Sequence, residues 1–163
     1  MIKDVEEKIY QFLVEILKEK KVQVFRGMLP EKNHEDREKG NQSEDYFPFV
    51  LLRVTHFEQT RAGFDAYDTP IDFEFWIGTK EEKEENYINN LELGDFLREK
   101  MLEQSTRENG FALDQAKGFQ VDFYSDQAEP YFYSKCQFTT FGIPATSIVA
   151  QNKINELLGR RKS

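Results

Sequence analysis

Pro70-Ile71-Asp72-Phe73-Glu74-Phe75-Trp76-Ile77-Gly78 decides the fold class. Ile71, Phe73, Phe75 and Ile77 take every second position, and Asp72, Glu74 and Trp76 fill the gaps. A period of two marks a strand with one face on a core, because successive side chains of an extended chain point to opposite faces. Gly78 and the run Lys80-Glu81-Glu82-Lys83-Glu84-Glu85 close it. The preceding apolar run, Phe47 to Phe57, puts Phe49, Leu51 and Phe57 on one side and Val50, Leu52 and Val54 on the other. Apolar residues on both faces predict a central strand covered on both sides. Pro48 has no N–H for a ladder and fits only near the start of that strand.

Working outward, residues 3–20 predict a helix, with Val5, Ile9, Phe12, Leu13, Ile16 and Leu17 at helical spacing and Asp4 placed to cap it. Val22 to Arg26 reads as a short strand ended by Gly27 and Pro30. Residues 31–45 hold no apolar side chain. They cannot bury enough surface to offset their ordering entropy, so a mobile charged loop is expected. Glu58 to Thr69 reads as a second polar loop, carrying Phe64 and Tyr67 beside Gly63. Residues 86–104 predict a second helix. Its Tyr87, Ile88, Leu91, Leu93, Leu97, Met101 and Leu102 spread over more than half the circumference, wider than one sheet requires. Phe96 stands on the far side, among Glu92, Glu99 and Glu103. Phe111 to Leu113, Phe119 to Phe123 and Tyr131 to Gly142 read as strands. Ile143-Pro144 stops the last, and Ser147 caps a final helix with Ile148, Ile154, Leu157 and Leu158. The expected fold is α+β: one domain over residues 1–163, with a mainly antiparallel sheet, two helices on one face and a C-terminal helix over 147–163.

Composition narrows function. The formal charge of the 163 residues is −8, which repels nucleic acid over the surface as a whole. Fifteen phenylalanines supply a sizeable core, since burying each stabilises by roughly 1.5–3 kcal/mol. Cys136 is the sole cysteine, so neither an intrachain disulfide nor a cysteine zinc cluster can form. The charged amphipathic start does not read as a signal peptide, and no run reaches the ~20 apolar residues of a membrane span. A soluble cytoplasmic protein is expected.

The strongest catalytic fragment is Asp72 with Glu74. A metal-dependent nuclease sets two carboxylates on Mg²⁺ beside a lysine that activates water, but Trp76 stands where the lysine belongs. Alternation puts both carboxylates on one face, where plain solvent exposure is expected. His34 and His56 lie too far apart in sequence to suggest a metal site and read as surface residues. Cys136 reads as a small buried apolar group. No glycine-rich phosphate loop occurs, and Arg160-Arg161-Lys162 reads as a solvated tail. No catalytic, cofactor-binding or metal site is therefore expected, and the chain reads as a binding and assembly protein.

Phe47-Pro48-Phe49-Val50-Leu51-Leu52-Arg53-Val54, the strand Ile71 to Gly78, the acidic link and the helix Tyr87 to Leu102 resemble tail-terminator (tail-completion) proteins of long-tailed bacteriophages and prophages. Asp126-Gln127-Ala128-Glu129-Pro130-Tyr131 and the aromatic strand ending Gly142-Ile143-Pro144 extend the resemblance over roughly residues 47–145. It rests on the order and spacing of strand and turn signatures and does not reach residues 31–45 or the C-terminal helix. The resemblance implies a ring, typically a hexamer, at the head-proximal end of the tail tube. Such a ring stops tube growth and joins head to tail, with tail-tube and head-connector proteins as partners. DNA passes through without specific binding, and neither cofactor nor membrane is implied. Localisation would be the host cytoplasm during assembly and then the virion tail. Another head–tail connector or a tail-tube subunit shares this architecture. The alternatives of other kinds are a small nuclease using Asp72 and Glu74 and a ligand-binding domain with an apolar pocket.

A ring uses head-to-tail contacts, so each subunit needs two different adhesive surfaces. Phe96, Leu93 and Tyr87 on the second helix and Leu157 and Leu158 on the last are the expected subunit interface. Phe64 and Tyr67 are expected to meet partners. An acidic wall would suit a conduit that phosphates must not adhere to.

Overall fold

The computed structural model describes residues 1–30, 46–64, 66–81, 87–104, 110–124 and 130–142, together with Leu157 and Gly159. The elements in chain order are α1 (Ile2–Leu17), β1 (Gln23–Arg26), β2 (Phe49–Phe57), β3 (Thr60–Gly63), β4 (Ala66–Asp68), β5 (Pro70–Lys80), α2 (Ile88–Gln104), β6 (Ala112–Leu113), β7 (Phe119–Phe123) and β8 (Tyr131–Phe141). The expected loop at 31–45 and nearly all of the expected C-terminal helix lie outside the described residues.

One sheet runs β1-β2-β5-β8-β6, with β7 also paired to β8. All its pairings are antiparallel except β1 with β2. The sequence alternation of β5 is met in full. Ile71, Phe73, Phe75 and Ile77 are buried, and the residues between them are half-buried. Their partners Val50, Leu52, Cys136 and Phe138 join the same cluster, as do Val5, Ile9, Leu13 and Leu17 of α1 and Leu93, Leu97 and Met101 of α2. The two helices thus share one face of the sheet, as the two periodicities require.

Neither α1 nor α2 lies on the other face. Phe49 and Leu51 are nevertheless buried there, because Phe25, Phe47 and Tyr133 pack rings against Phe49 at 5.1–6.4 Å between centroids. Coverage on both faces of β2 therefore holds from Phe49 to Leu52 and ends at Arg53, beyond which the strand is largely exposed. Gly78 lies opposite Phe49 in the β2–β5 register, and a Cβ at that position would run into the phenyl ring.

Three expectations are corrected. Asp4 does not cap α1: the helix begins at Ile2, and Asp4 sits inside its first turn, where a carboxylate still favours the positive end of the helix dipole. Residues 58–69 are not merely a loop. Thr60–Gly63 and Ala66–Asp68 pair as an antiparallel ribbon outside the main sheet. Polarity had marked this segment as exposed, but exposed backbone can still form a ladder. The third concerns the breadth of the α2 apolar arc. Asn90, Leu93, Leu97 and Met101 form the buried stripe, while Tyr87 and Ile88 stand at the exposed start of the helix. Among the described residues, no helix is long and apolar enough to cross a membrane.

Candidate assembly site

The β3–β4 ribbon prolongs the β2–β5 hairpin, with the Glu58 N–H donating to the Pro70 carbonyl at 3.3 Å where the two meet. Thr60 to Gly63 are exposed throughout, so the ribbon is not packed on the body of the molecule. Arg61 Nε donates to the Gly63 carbonyl at 3.1 Å and stiffens the approach to the turn. Phe64 stands at the tip with 89% of its surface accessible, and Tyr67 is half-buried at mid-ribbon. A phenyl ring held out on a hydrogen-bonded arm contributes nothing to the core of its own chain.

A groove of about 400 Å³ lies between α2 and the edge strand β7. Leu91, Val121 and Phe123 form its apolar lining, and Glu92, Asp95 and Arg98 bring charge to it. Gly94 faces β7, and a Cβ there would meet Val121, Phe123 and Ile77 at 3.7–3.9 Å, ordinary van der Waals contact. Arg98 donates to Asp95 Oδ1 at 2.8 and 3.1 Å, and this carboxylate raises the guanidinium pKa. Phe123 is 46% exposed at the groove. The sequence reading marked Val121 and Phe123 as strand residues without linking them to α2.

The five expected interface residues scatter. Leu93 is in the core of its own chain, which leaves its side chain no surface to offer. Phe96 is half-buried against that core, and Lys20 Nζ lies 4.4 Å from its ring centroid. A lysine in the turn after α1 thus covers part of the ring that looked stranded among carboxylates. Tyr87 is 44% and Leu157 60% exposed, whereas Leu158 lies outside the described residues.

Asp72 and Glu74 are half-buried rather than freely solvated, and both carboxylates hold neighbours on the sheet. Thr139 Oγ1 donates to Asp72 Oδ1 at 2.6 Å, Trp76 Nε1 donates to Glu74 Oε1 at 2.9 Å, and Arg53 Nε lies 3.8 Å from the same Glu74 oxygen. Asp72 also lines a polar hollow of about 320 Å³ with Thr55, Lys117, Gln120, Gln137 and Thr139. His56 is exposed beside Glu58 at 3.9 Å, and His34 lies outside the described residues. No group of three His, Cys, Asp or Glu side chains with metal-binding proximity occurs among the described residues. Cys136 is fully buried, and burial, aided by the charge of Asp122, pushes its thiol up to about 12.

A buried polar cluster went unread in the sequence. Glu81 Oε1 accepts the Asn90 backbone N–H at 3.1 Å, and Asn90 Nδ2 donates to Thr79 Oγ1 at 3.2 Å and to the Phe132 carbonyl at 3.1 Å. It pins the first turn of α2 to the ends of β5 and β8, and so fixes the height of the groove wall. No protein-family model matches the chain, and a search among curated proteins finds no match.

Proposed function

We propose that this chain is a structural assembly subunit, a tail-terminator protein of a long-tailed phage or prophage that forms a ring at the head-proximal end of the tail tube. The observation that carries the reading is the projecting β3–β4 ribbon with Phe64 bare at its tip. Large apolar groups held in water on a rigid support are the usual anchors of protein–protein contact. The apolar groove beside β7 supplies a second, chemically different surface, as head-to-tail assembly requires. The strand and helix order behind the sequence resemblance is consistent with this role, and a charge of −8 suits a subunit past which DNA must slide. The carboxylates of a nuclease reading, Asp72 and Glu74, are instead bonded to Thr139 and Trp76.

The test is tail assembly with and without this chain in the phage or prophage that encodes it. Without it, electron microscopy is expected to show tubes that overgrow and carry no heads, and supplying the chain in trans restores uniform headed tails. Normal tail length and head attachment in its absence would sink the reading.

A further inference from the structure

We infer that the β3–β4 ribbon of one copy seats Phe64 in the α2–β7 groove of a second copy. The inference rests on reading the chain as a self-associating subunit, and it names the contact.

Three observations select this occupant. Phe64 does not occupy the groove of its own chain: the ring is bare, and no ribbon residue lines the groove. The two features also belong to different levels of the sheet. The ribbon leaves at Pro70, which pairs with Phe141. The groove lies level with Ile77, whose partner Ser134 pairs in turn with Phe123. Seven strand residues at about 3.3 Å each put roughly 23 Å between them along the strand. A tip and a socket at opposite levels of one subunit join neighbours head to tail, the kind of contact that builds a ring where the rotation between subunits closes. Finally, the charges match. The groove lining holds two carboxylates, Glu92 and Asp95, against one guanidinium, Arg98. The cation of the ribbon is Arg61, three residues before Phe64. One phenyl ring per junction makes a weak contact between two copies. A closed ring strengthens it, because each further junction forms at high effective concentration.

Site-directed cross-linking tests this while leaving Phe64 in place. Ala66→Cys on the exposed ribbon and Asp95→Cys on the groove rim are made as separate variants of the full chain, and buried Cys136 stays silent. The two are mixed at ~1 mM, the concentration range at which weak contacts populate, and then oxidised. A disulfide-linked dimer is expected in the mixture and in neither variant alone. Adding Phe64→Ser to the Ala66→Cys chain is expected to cut its yield about tenfold, as for the loss of a contact anchor. The substituted ring is exposed, so the fold is unaffected. No mixed dimer, a dimer from Ala66→Cys alone, or a yield indifferent to Phe64→Ser overturns the contact. Loss of tail assembly by Phe64→Ser with unchanged cross-linking also overturns it, and assigns the tip to a different protein. Normal tails formed without this chain would strike at the function instead, whatever the cross-link shows.

Discussion

The two faces of the same sheet are built on different principles. On the helix-covered face, Phe73, Phe75, Ile77, Cys136 and Phe138 meet α1 and α2, and shape alone holds them. Across the same strands, the open face alternates charge with rings. Arg53, Glu74 and Gln137 lie in one row, and Leu51, Trp76 and Lys135 in the next. There Trp76 stacks on Tyr124 at 5.8 Å, and Lys135 Nζ lies 5.6 Å from the Trp76 ring centroid. The first face gains its stability by excluding water. The second stays in contact with water and is held by many small terms, so substitutions on it should be tolerated far better.

Neighbouring positions of β5 give the sharpest way to break this contrast. Phe75→Ala empties the helix-covered side and is expected to cost about 3–5 kcal/mol, while Glu74→Gln one residue away costs about 1 kcal/mol or less. Denaturant midpoints at constant slope measure both, and equal losses would erase the distinction between faces. The next effect is alkaline. Burial raises the Cys136 thiol from 9.0 to about 12, so the folded chain holds this proton more tightly than the unfolded chain. The contribution is intact below pH 9 and is lost as pH climbs from 9 toward 12, at about 1.4 kcal/mol per unit. Cys136→Ala should flatten that limb in unfolding curves. Tyr133 on the open face, also raised by burial and then by Tyr131, leaves a remnant. The smallest of the three effects tests a place where the open face is packed as tightly as its opposite. Gly78→Ala drives a methyl group into the buried Phe49 ring and is expected to cost about 1–3 kcal/mol, read from the thermal midpoint.

The same contrast explains what could be read in advance. Strict alternation in β5 and the α1 stripe announce burial directly, because both follow from backbone geometry. The ribbon could not be read that way. Polar composition reports contact with water and is silent on pairing, so residues 60–68 looked like loop. The breadth of the α2 arc misled for a related reason: counting apolar residues around a helix ignores lysines from elsewhere, such as Lys20, whose stems cover rings. Asn90 gave no periodic signal at all. A buried amide is legible only once its three partners, drawn from β5, the segment after it and β8, are brought together. Phe64 was singled out as a residue that meets partners, but the groove needed the docking of β7 beside Gly94, which no local pattern encodes.

β8 pairs with β5 along all eleven of its residues and also carries β6 and β7. Among the described residues it is the last strand of the sheet in chain order. During synthesis, therefore, β5 emerges long before the strand that satisfies its second edge. Until Phe141 has left the ribosome, the nascent chain presents a bare, phenylalanine-rich edge, the kind of surface that recruits other strands. A truncation that stops short of Tyr131 should accumulate as aggregate or in the grip of chaperones rather than as a smaller folded domain.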